Sequence, residues 1–526
     1  MDKIKSKSST IVFFAIWFIY IAFFSFIITV IREDGYLNFE PLFITSHVTT
    51  LFEGGELVKN FFLSYPLITN MLSYPFSIFS PEDAPFFASV FYMSLLATTV
   101  VTIVGQEKNN VIKGLLFLYF LFSPVTIYAA TSGTSVYAFF ALYFLIFYYL
   151  FNYIKKFTTY HITILSIILS LAVFLDYRIL WLLLLLLLYA FVFSIYGVKG
   201  LRSANIIIKY IKITQHRSLR RKLRGRLVSM VFIIGFFPVT TLLLYLFINY
   251  LMGNDSFYFF DSLETKWNGN SFFSLLEPDT LVGLNNRTVN DFSFLDIVIF
   301  LMPIYLFELI IHYKKGLKIF ILLLAPILLY TLVRDSITDY MSLSYYTILI
   351  ACGLASIATT PYKFFKLKKL SYFFYACLFV VSIYGEYLYL KKSSFTSEQI
   401  YYKSVVEKEQ NSVLLEYKKA GEFLASNTPE NSVILSDRSI LYPIIAYNSK
   451  NNYFISNSSD EFEKATYDPY NHCDYIIITN TKSPYHFLDK VDANLKNIKN
   501  NKFSIYSEWT DVVYYSNSFT IVKVVK

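Results

Sequence analysis

Apolar runs of about 20 residues recur along this chain from Ile11 onward, each long enough to cross a hydrocarbon core of roughly 30 Å. The composition agrees with what the runs demand. Of 526 residues, 55% are hydrophobic and only 16% charged, which excludes an ordinary cytosolic enzyme. The expected fold class is an α-helical polytopic membrane protein with a small C-terminal extracytoplasmic α/β domain.

Eleven spans are predicted, at about 11–31, 84–104, 111–130, 136–153, 161–175, 179–196, 227–251, 294–313, 317–333, 341–358 and 370–390. Only Asp176, Tyr177 and Arg178 separate the fifth from the sixth, so a re-entrant hairpin is the alternative there. A net charge of +9 invites a nucleic-acid reading, but the distribution argues against one. With the N-terminus inside, the inner segments hold 24 basic residues and the outer loops six: Arg32, Lys59, Arg178, Lys266, Arg287 and Arg334. This asymmetry places the N-terminus in the cytoplasm. The tail carries 16 basic and 16 acidic residues, leaving no net field for nucleic acid. An odd number of spans puts that tail outside, and the first run reads as a retained helix because it lacks a small-residue cleavage site.

The expected domains are 1–390, a transmembrane part with a first outer loop at 32–83 and a further outer loop at 252–293, and 391–526, a soluble α/β domain. In the first loop, apolar residues at helical spacing (Phe39, Leu42, Phe43, Val48, Leu51, Phe52, then Leu57, Val58, Phe61, Phe62) predict one or two helices along the membrane surface. The inner loop 197–226 holds ten basic residues and reads as a stop signal touching anionic headgroups. The tail alternates helical patterns with short strand-like runs and finishes in a hairpin about Ser516-Asn517. Its Asp437-Arg438 reads as a turn. Three cysteines, two of them inside spans, supply no disulfide framework.

No P-loop, dinucleotide fingerprint, nucleophile elbow or paired metal-ligand spacing occurs. What stands out is Arg32-Glu33-Asp34-Gly35-Tyr36, where the first span exits. It is followed by Phe52-Glu53-Gly54-Gly55-Glu56-Leu57 and by Leu63-Ser64-Tyr65-Pro66-Leu67 before the second span. In these segments the chain resembles the GT-C membrane glycosyltransferases, the group containing protein O-mannosyltransferases and the lipid A aminoarabinose transferase, whose donors are sugars on polyprenyl phosphate. That family has an Asp-Glu type motif after the first span, a Gly-rich turn and a Tyr-Pro-Pro-Leu type segment. The likeness extends more weakly to Ser123-Pro124, Ala130-Thr131-Ser132-Gly133, Asp176-Tyr177-Arg178 and the region from Tyr340 to Leu349. The chain departs in having Glu33-Asp34, a single Pro66 and no acidic residue from Thr131 to Tyr137. The resemblance implies inverting transfer at the outer face of a prokaryotic plasma membrane.

Chemistry alone asks for a similar site. Sugar transfer to a hydroxyl needs a carboxylate to take the acceptor's proton and cationic groups to hold the departing phosphate. Asp34 is the expected general base, with Glu33 supporting it or holding a divalent cation such as magnesium or manganese. Lys59 and Arg178 are the expected phosphate ligands because outer cations are sparse, with Arg287 and Arg334 behind them, and Tyr36 and Tyr65 are expected to line the sugar site.

The expected partners are a polyprenyl-phosphate sugar, an envelope glycan, lipid or protein acceptor, and the bilayer. Two other classes compete. A lipid-linked saccharide flippase is disfavoured by the lack of repeats and of Gly/Pro-broken helices in matching halves. An O-antigen-type polymerase or ligase would have to place its chemistry in the loop 252–293.

Overall fold

The computed structural model describes residues 2–50, 57–106, 110–198, 206–261, 301–312, 317–335, 342–359, 368–393, 395–448, 452–457, 459–480, 483, 486, 489–501 and 510–526. In chain order the helices are α1 (Asp2–Glu33), α2 (Phe39–Thr49), α3 (Leu57–Leu63), α4 (Leu67–Ser77), α5 (Ala84–Gln106), α6 (Asn110–Phe122), α7 (Pro124–Thr131), α8 (Val136–Lys156) and α9 (Thr159–Leu175). They continue as α10 (Leu180–Gly197), α11 (Ile206–Gln215), α12 (Arg217–Gly253), α13 (Tyr258–Asp261), α14 (Pro303–His312), α15 (Leu317–Asp335), α16 (Leu343–Thr359) and α17 (Lys368–Lys392). The tail adds α18 (Thr396–Tyr402), α19 (Ser412–Asn427), β1 (Val433–Leu435), α20 (Arg438–Ala446), β2 (Tyr453–Ile455), α21 (Phe462–Tyr467), α22 (Pro469–His472), β3 (Tyr475–Thr479), α23 (Lys490–Asn501), β4 (Thr510–Tyr515) and β5 (Phe519–Val524).

The chain forms two compact units. One comprises Met1–Thr29, Ser89–Tyr245 and Val289–Gln399, and the other Val30–Ala88, Leu246–Thr288 and Ile400–Lys526. The segment 32–83 thus belongs with the tail, a grouping that a linear boundary at 390/391 does not express.

The first unit is a bundle of apolar helices. Among the described residues, six helices of the chain are long and apolar enough to cross a membrane: α1 over Thr10–Glu33, α5, α8, α10 with its preceding turn, α12, and α17 over Lys369–Lys392. The expected spans at 161–175, 294–313, 317–333 and 341–358 fall on shorter apolar helices.

The expected third span is not one straight helix. It is the pair α6 and α7, bent by 58° at Ser123-Pro124. Pro124 has no N–H to continue the ladder, and the Ser123 hydroxyl caps the second helix by accepting from Thr126 N. Glu386, fully buried on α17, completes the joint. Its carboxylate accepts from Tyr119 Oη at 2.6 Å, Ser123 Oγ at 2.5 Å and Ser382 Oγ at 3.1 Å, with Val125 N at 3.4 Å. Proline opens the break, and a carboxylate on a neighbouring helix satisfies the groups it frees.

Glu308 plays a comparable part lower in the chain. Ser356 Oγ lies 2.5 Å away and Tyr375 Oη 3.1 Å, with His312 and Lys318 beside it. Glu398 caps the start of α16 through Leu343 N.

In the second unit, α2 departs from its expected one-sided form. Phe39 to Val48 are all buried, Glu40, Thr45, Ser46 and His47 included. The reason is that α20 of the tail packs on it. Phe43 meets Tyr442 edge to face at 5.4 Å, and Arg438 donates to Ser46 O at 3.0 Å and to Thr50 Oγ1. The guanidinium adds a positive charge at the C-terminal end of the helix dipole, where Ser46 O also accepts from Thr50 N and the Thr49 and Thr50 hydroxyls.

The tail carries a five-stranded sheet in the order β2-β1-β3-β5-β4. The first three strands are parallel, and β5 runs antiparallel to both β3 and β4. Leu435, Ile455, Ile476, Val491, Leu495 and Val524 make its core. The expected hairpin about Ser516 is present as β4 and β5. Asp437, buried, starts α20: one oxygen accepts from Ser439 N and Asn457 Nδ2, the other from Lys490 N. It ties β1, β2 and α23 together.

Candidate functional site

The acidic segment after the first span is held by a helix ending. Gly35 N and Tyr36 N donate back to Arg32 O and Ile31 O, and Gly35 takes φ +85°. That left-handed position at a helix end suits glycine, and a side chain there would collide with Gln410, whose Nε2 donates to Asp34 O at 3.2 Å.

Around this turn the charges interlock. Arg32 Nη2 lies 2.8 Å from Asp83 Oδ1, with its guanidinium over the Phe86 ring. Asp34 Oδ2 lies 3.4 Å from Lys408 Nζ, and both side chains are exposed. Glu33 is exposed as well.

A polar pocket of about 170 Å3 opens beside Gly35, lined by Arg32, Tyr36, Glu82, Lys418, Glu422 and Tyr447. Burial raises the Glu82 carboxyl above its usual range, against the lowering pull of Arg32. Burial likewise pushes the Tyr36 phenol well up, so that it stays protonated while accepting from Asn38 Nδ2 at 2.8 Å. Arginine, lysine and two carboxylates around a small space, with two phenol rings, can hold a polyhydroxylated or phosphorylated group.

The other sequence-derived candidates stand elsewhere. Lys59 is paired with Asp460 at 2.6 Å. Tyr65, buried beside a cis bond to Pro66, packs on Phe259 at 5.3 Å between ring centres. Neither lines the pocket. Arg178 belongs to the other unit, where it lies over the rings of Tyr177 and Tyr345 with Nε 4.0 Å from Asp176. Asp176 accepts from the Tyr345 hydroxyl and from Arg178 N.

Arg287, Lys266, the Gly54-Gly55 turn, Tyr340 and most of the loop 252–293 lie outside the described residues. So do the side chain of Arg334 and the strand-like run 503–507. Among the described residues no group of three or more His, Cys, Asp or Glu side chains is placed to hold a metal ion.

Reading the sequence missed Glu82-Asp83, Lys408, Lys418, Glu422 and Tyr447. The first two carried a signal: an acidic pair closing the same outer loop that Glu33-Asp34 opens. The tail residues carried none, being ordinary charges on amphipathic segments. No protein-family model matches the chain, and comparison with curated proteins finds no match.

Proposed function

We propose that this chain is a multi-pass membrane glycosyltransferase that moves a sugar from a polyprenyl-phosphate donor to a cell-envelope acceptor. The arrangement that carries the reading is the exposed Asp34 at the end of an apolar helix, next in sequence to a sugar-sized polar pocket. A lipid-linked donor keeps its tail in the bilayer while its headgroup reaches water, so a site one residue beyond a span is where the two meet. The pocket is smaller than the ~300–1,000 Å3 of a drug-sized site and suits a single sugar ring.

In this reading Asp34 accepts the acceptor hydroxyl's proton as its oxygen attacks the anomeric carbon. The bond from that carbon to the phosphate oxygen breaks, and the phosphate leaves with the electron pair. Arg32 and Lys418, which line the pocket, meet that charge in preference to Lys59, which is paired with Asp460. Lys408, 3.4 Å from Asp34, orients its carboxylate, and Glu33 sustains the local negative field. Attack opposite the leaving phosphate inverts the anomeric centre. We place the reaction, and the tail with it, on the outer side of a plasma membrane because basic residues concentrate in alternate inter-helix segments, as the positive-inside rule expects.

The test is mass spectrometry of membrane lipids from cells expressing wild type or Asp34→Asn at matched levels, followed by transfer assays on purified protein in nanodiscs. Accumulation of one polyprenyl-phosphate sugar in the variant, with transfer by the wild type only, supports the reading. Unchanged lipids and intact surface glycans overturn it.

One observation favours a lipid-linked saccharide flippase as the second reading. A Pro-broken apolar helix joined to a buried carboxylate, as α6, α7 and Glu386 are, is a device that transporters use. Under that reading Asp34→Asn is silent and lipid translocation in vesicles fails in Glu386→Gln.

A further inference from the structure

The ten-residue helix α11 has two apolar faces, one buried in the bundle and the other largely exposed, its Tyr210 meeting Phe191 of α10 edge to face at 5.6 Å. Ile213 and the stem of Lys209 are buried, with Ile206 beside them. They pack in a cluster with Ile195 and Val198 at the end of α10 and with Leu219 and Leu223 at the start of α12. Lys209 Nζ donates to Tyr196 O at 2.8 Å, which pins the helix to that corner, and Arg226 Nη1 of α12 donates to Gly197 O of α10 at 2.7 Å.

On roughly the opposite side, Ile207, Ile208, Tyr210 and Ile211 stand 64%, 47%, 40% and 47% exposed. Their spacing of one, three and four residues puts them on one broad helical stripe. Isoleucine has no polar atom with which to repay exposure to water, so three on one stripe ask for an apolar cover.

The neighbouring helix says what that cover is. From Val228 to Leu251, α12 exposes Val228, Phe232, Phe236, Leu243, Leu244 and Phe247, the pattern of a helix facing lipid. The turns just before that stretch expose Arg217, Arg220, Arg221, Lys222 and Arg224. No aspartate or glutamate occurs from Tyr177 to Asn254. Apolar side chains on one helix and five uncompensated cations at the head of the next match a bilayer surface whose headgroups are negative.

We infer that α11 is an in-plane anchor, its Ile207-Ile208-Ile211 stripe sunk into the leaflet at the N-terminal end of α12 and held there by anionic phospholipid headgroups on the Arg217–Arg224 cluster. To the headgroup contact expected of this basic loop, the structure adds an apolar stripe that enters the leaflet.

The test places a spin label at position 211 (Ile211→Cys) in the full chain with Cys377→Ser, since Cys377 is exposed whereas Cys352 and Cys473 are buried. Collision rates with oxygen and with a water-soluble nickel chelate are compared in phosphatidylcholine nanodiscs and in discs containing phosphatidylglycerol. The expected result is a shift towards oxygen accessibility in the acidic discs. That shift is lost when Arg217, Arg220, Arg221, Lys222 and Arg224 are all changed to Gln, and it is weakened by added salt in the unsubstituted cluster.

Access to the nickel chelate in both discs overturns the inference, because the stripe is then in water. Shielding from both reagents that ignores lipid and salt also overturns it, by showing a second copy or another protein on the stripe. Equal burial in both discs removes the acidic-lipid part. The lipid and salt comparisons use the native basic cluster, so a failure of the five-fold variant to fold leaves the test intact.

Discussion

The helical bundle and the surface beside the Gly35 pocket treat their carboxylates in opposite ways. In the helical bundle, Glu386, Glu308, Asp176 and Glu398 are buried, and each is enclosed by hydroxyls, amides or cations of its own unit. In the second unit Asp437 and Asp489 are enclosed in the same way, whereas Glu82 and Glu422 line the pocket and Asp34 and Asp83 stand nearby in the chain, paired with Lys408 and Arg32. A charge removed from water is costly unless every lone pair finds a donor, so the first group is committed to holding helices together. A carboxylate with one exposed ion pair gives up little to meet a ligand. Burial with full satisfaction marks structure, and exposure beside a pocket marks availability.

The sharpest way to break that contrast is to remove one member of each group. Asp34→Asn is expected to lower transfer by about 10²–10⁴-fold, as loss of a general base does. It should leave thermal stability within about 1 kcal/mol, since only an exposed pair with Lys408 is lost. A variant that keeps its activity, or that unfolds, would place Asp34 in the structural group.

Glu386→Leu should do the reverse, costing roughly 2–4 kcal/mol by stranding three hydroxyls and the Val125 amide, read as a fall in the unfolding midpoint in detergent. Glu386→Gln, which keeps an acceptor, should cost less. An unchanged midpoint in both would detach Glu386 from the bend at Ser123-Pro124.

Within the second unit, Arg438→Met should cost about 1–1.5 kcal/mol by removing a charged donor from Ser46 O and Thr50 Oγ1, which keep their bonds within the helix end. The loss should appear first as faster hydrogen exchange over residues 39–50; uniform change across the tail would contradict a local clamp.

The smallest expected effect is on pH. Burial, with the nearby Asp437 charge second, pushes the Asp489 carboxyl up to about 6 from an ordinary 3.8. The folded state therefore holds that proton more tightly, and the cost of the charged form is present above pH 6 and relieved as the pH falls towards 4. Asp474 is held low, mainly through the Val433 amide and Lys526 against a raising push from burial, and its stabilisation is lost only below the ordinary carboxyl range. Exchange protection of β3, corrected for intrinsic rates, should thus rise by the equivalent of about 1 kcal/mol from pH 7 to pH 5. A fall would show that the four donors on Asp489 outweigh its burial.

The membrane-helix character, the described strands of the tail and the terminal hairpin were legible in the residues. Each rests on local information: run length and period-two alternation. The bend at Ser123-Pro124 was half legible, since proline announces a break. Glu386, which makes the break tolerable, lies more than 260 residues away. The one-sided pattern of α2 pointed to a surface helix, yet α20 covers its polar side too, because Arg438 and Tyr442 supply the partners its sequence lacks.

By itself, then, the sequence determined which segments must leave water and which end of each carries positive charge, because hydropathy and charge are sums over neighbours in the chain. Tertiary structure decided which carboxylates are enclosed and which remain open, and that Arg32, Glu82, Lys418 and Tyr447 share one pocket. Those outcomes depend on contacts between segments hundreds of residues apart, for which chain proximity gives no clue.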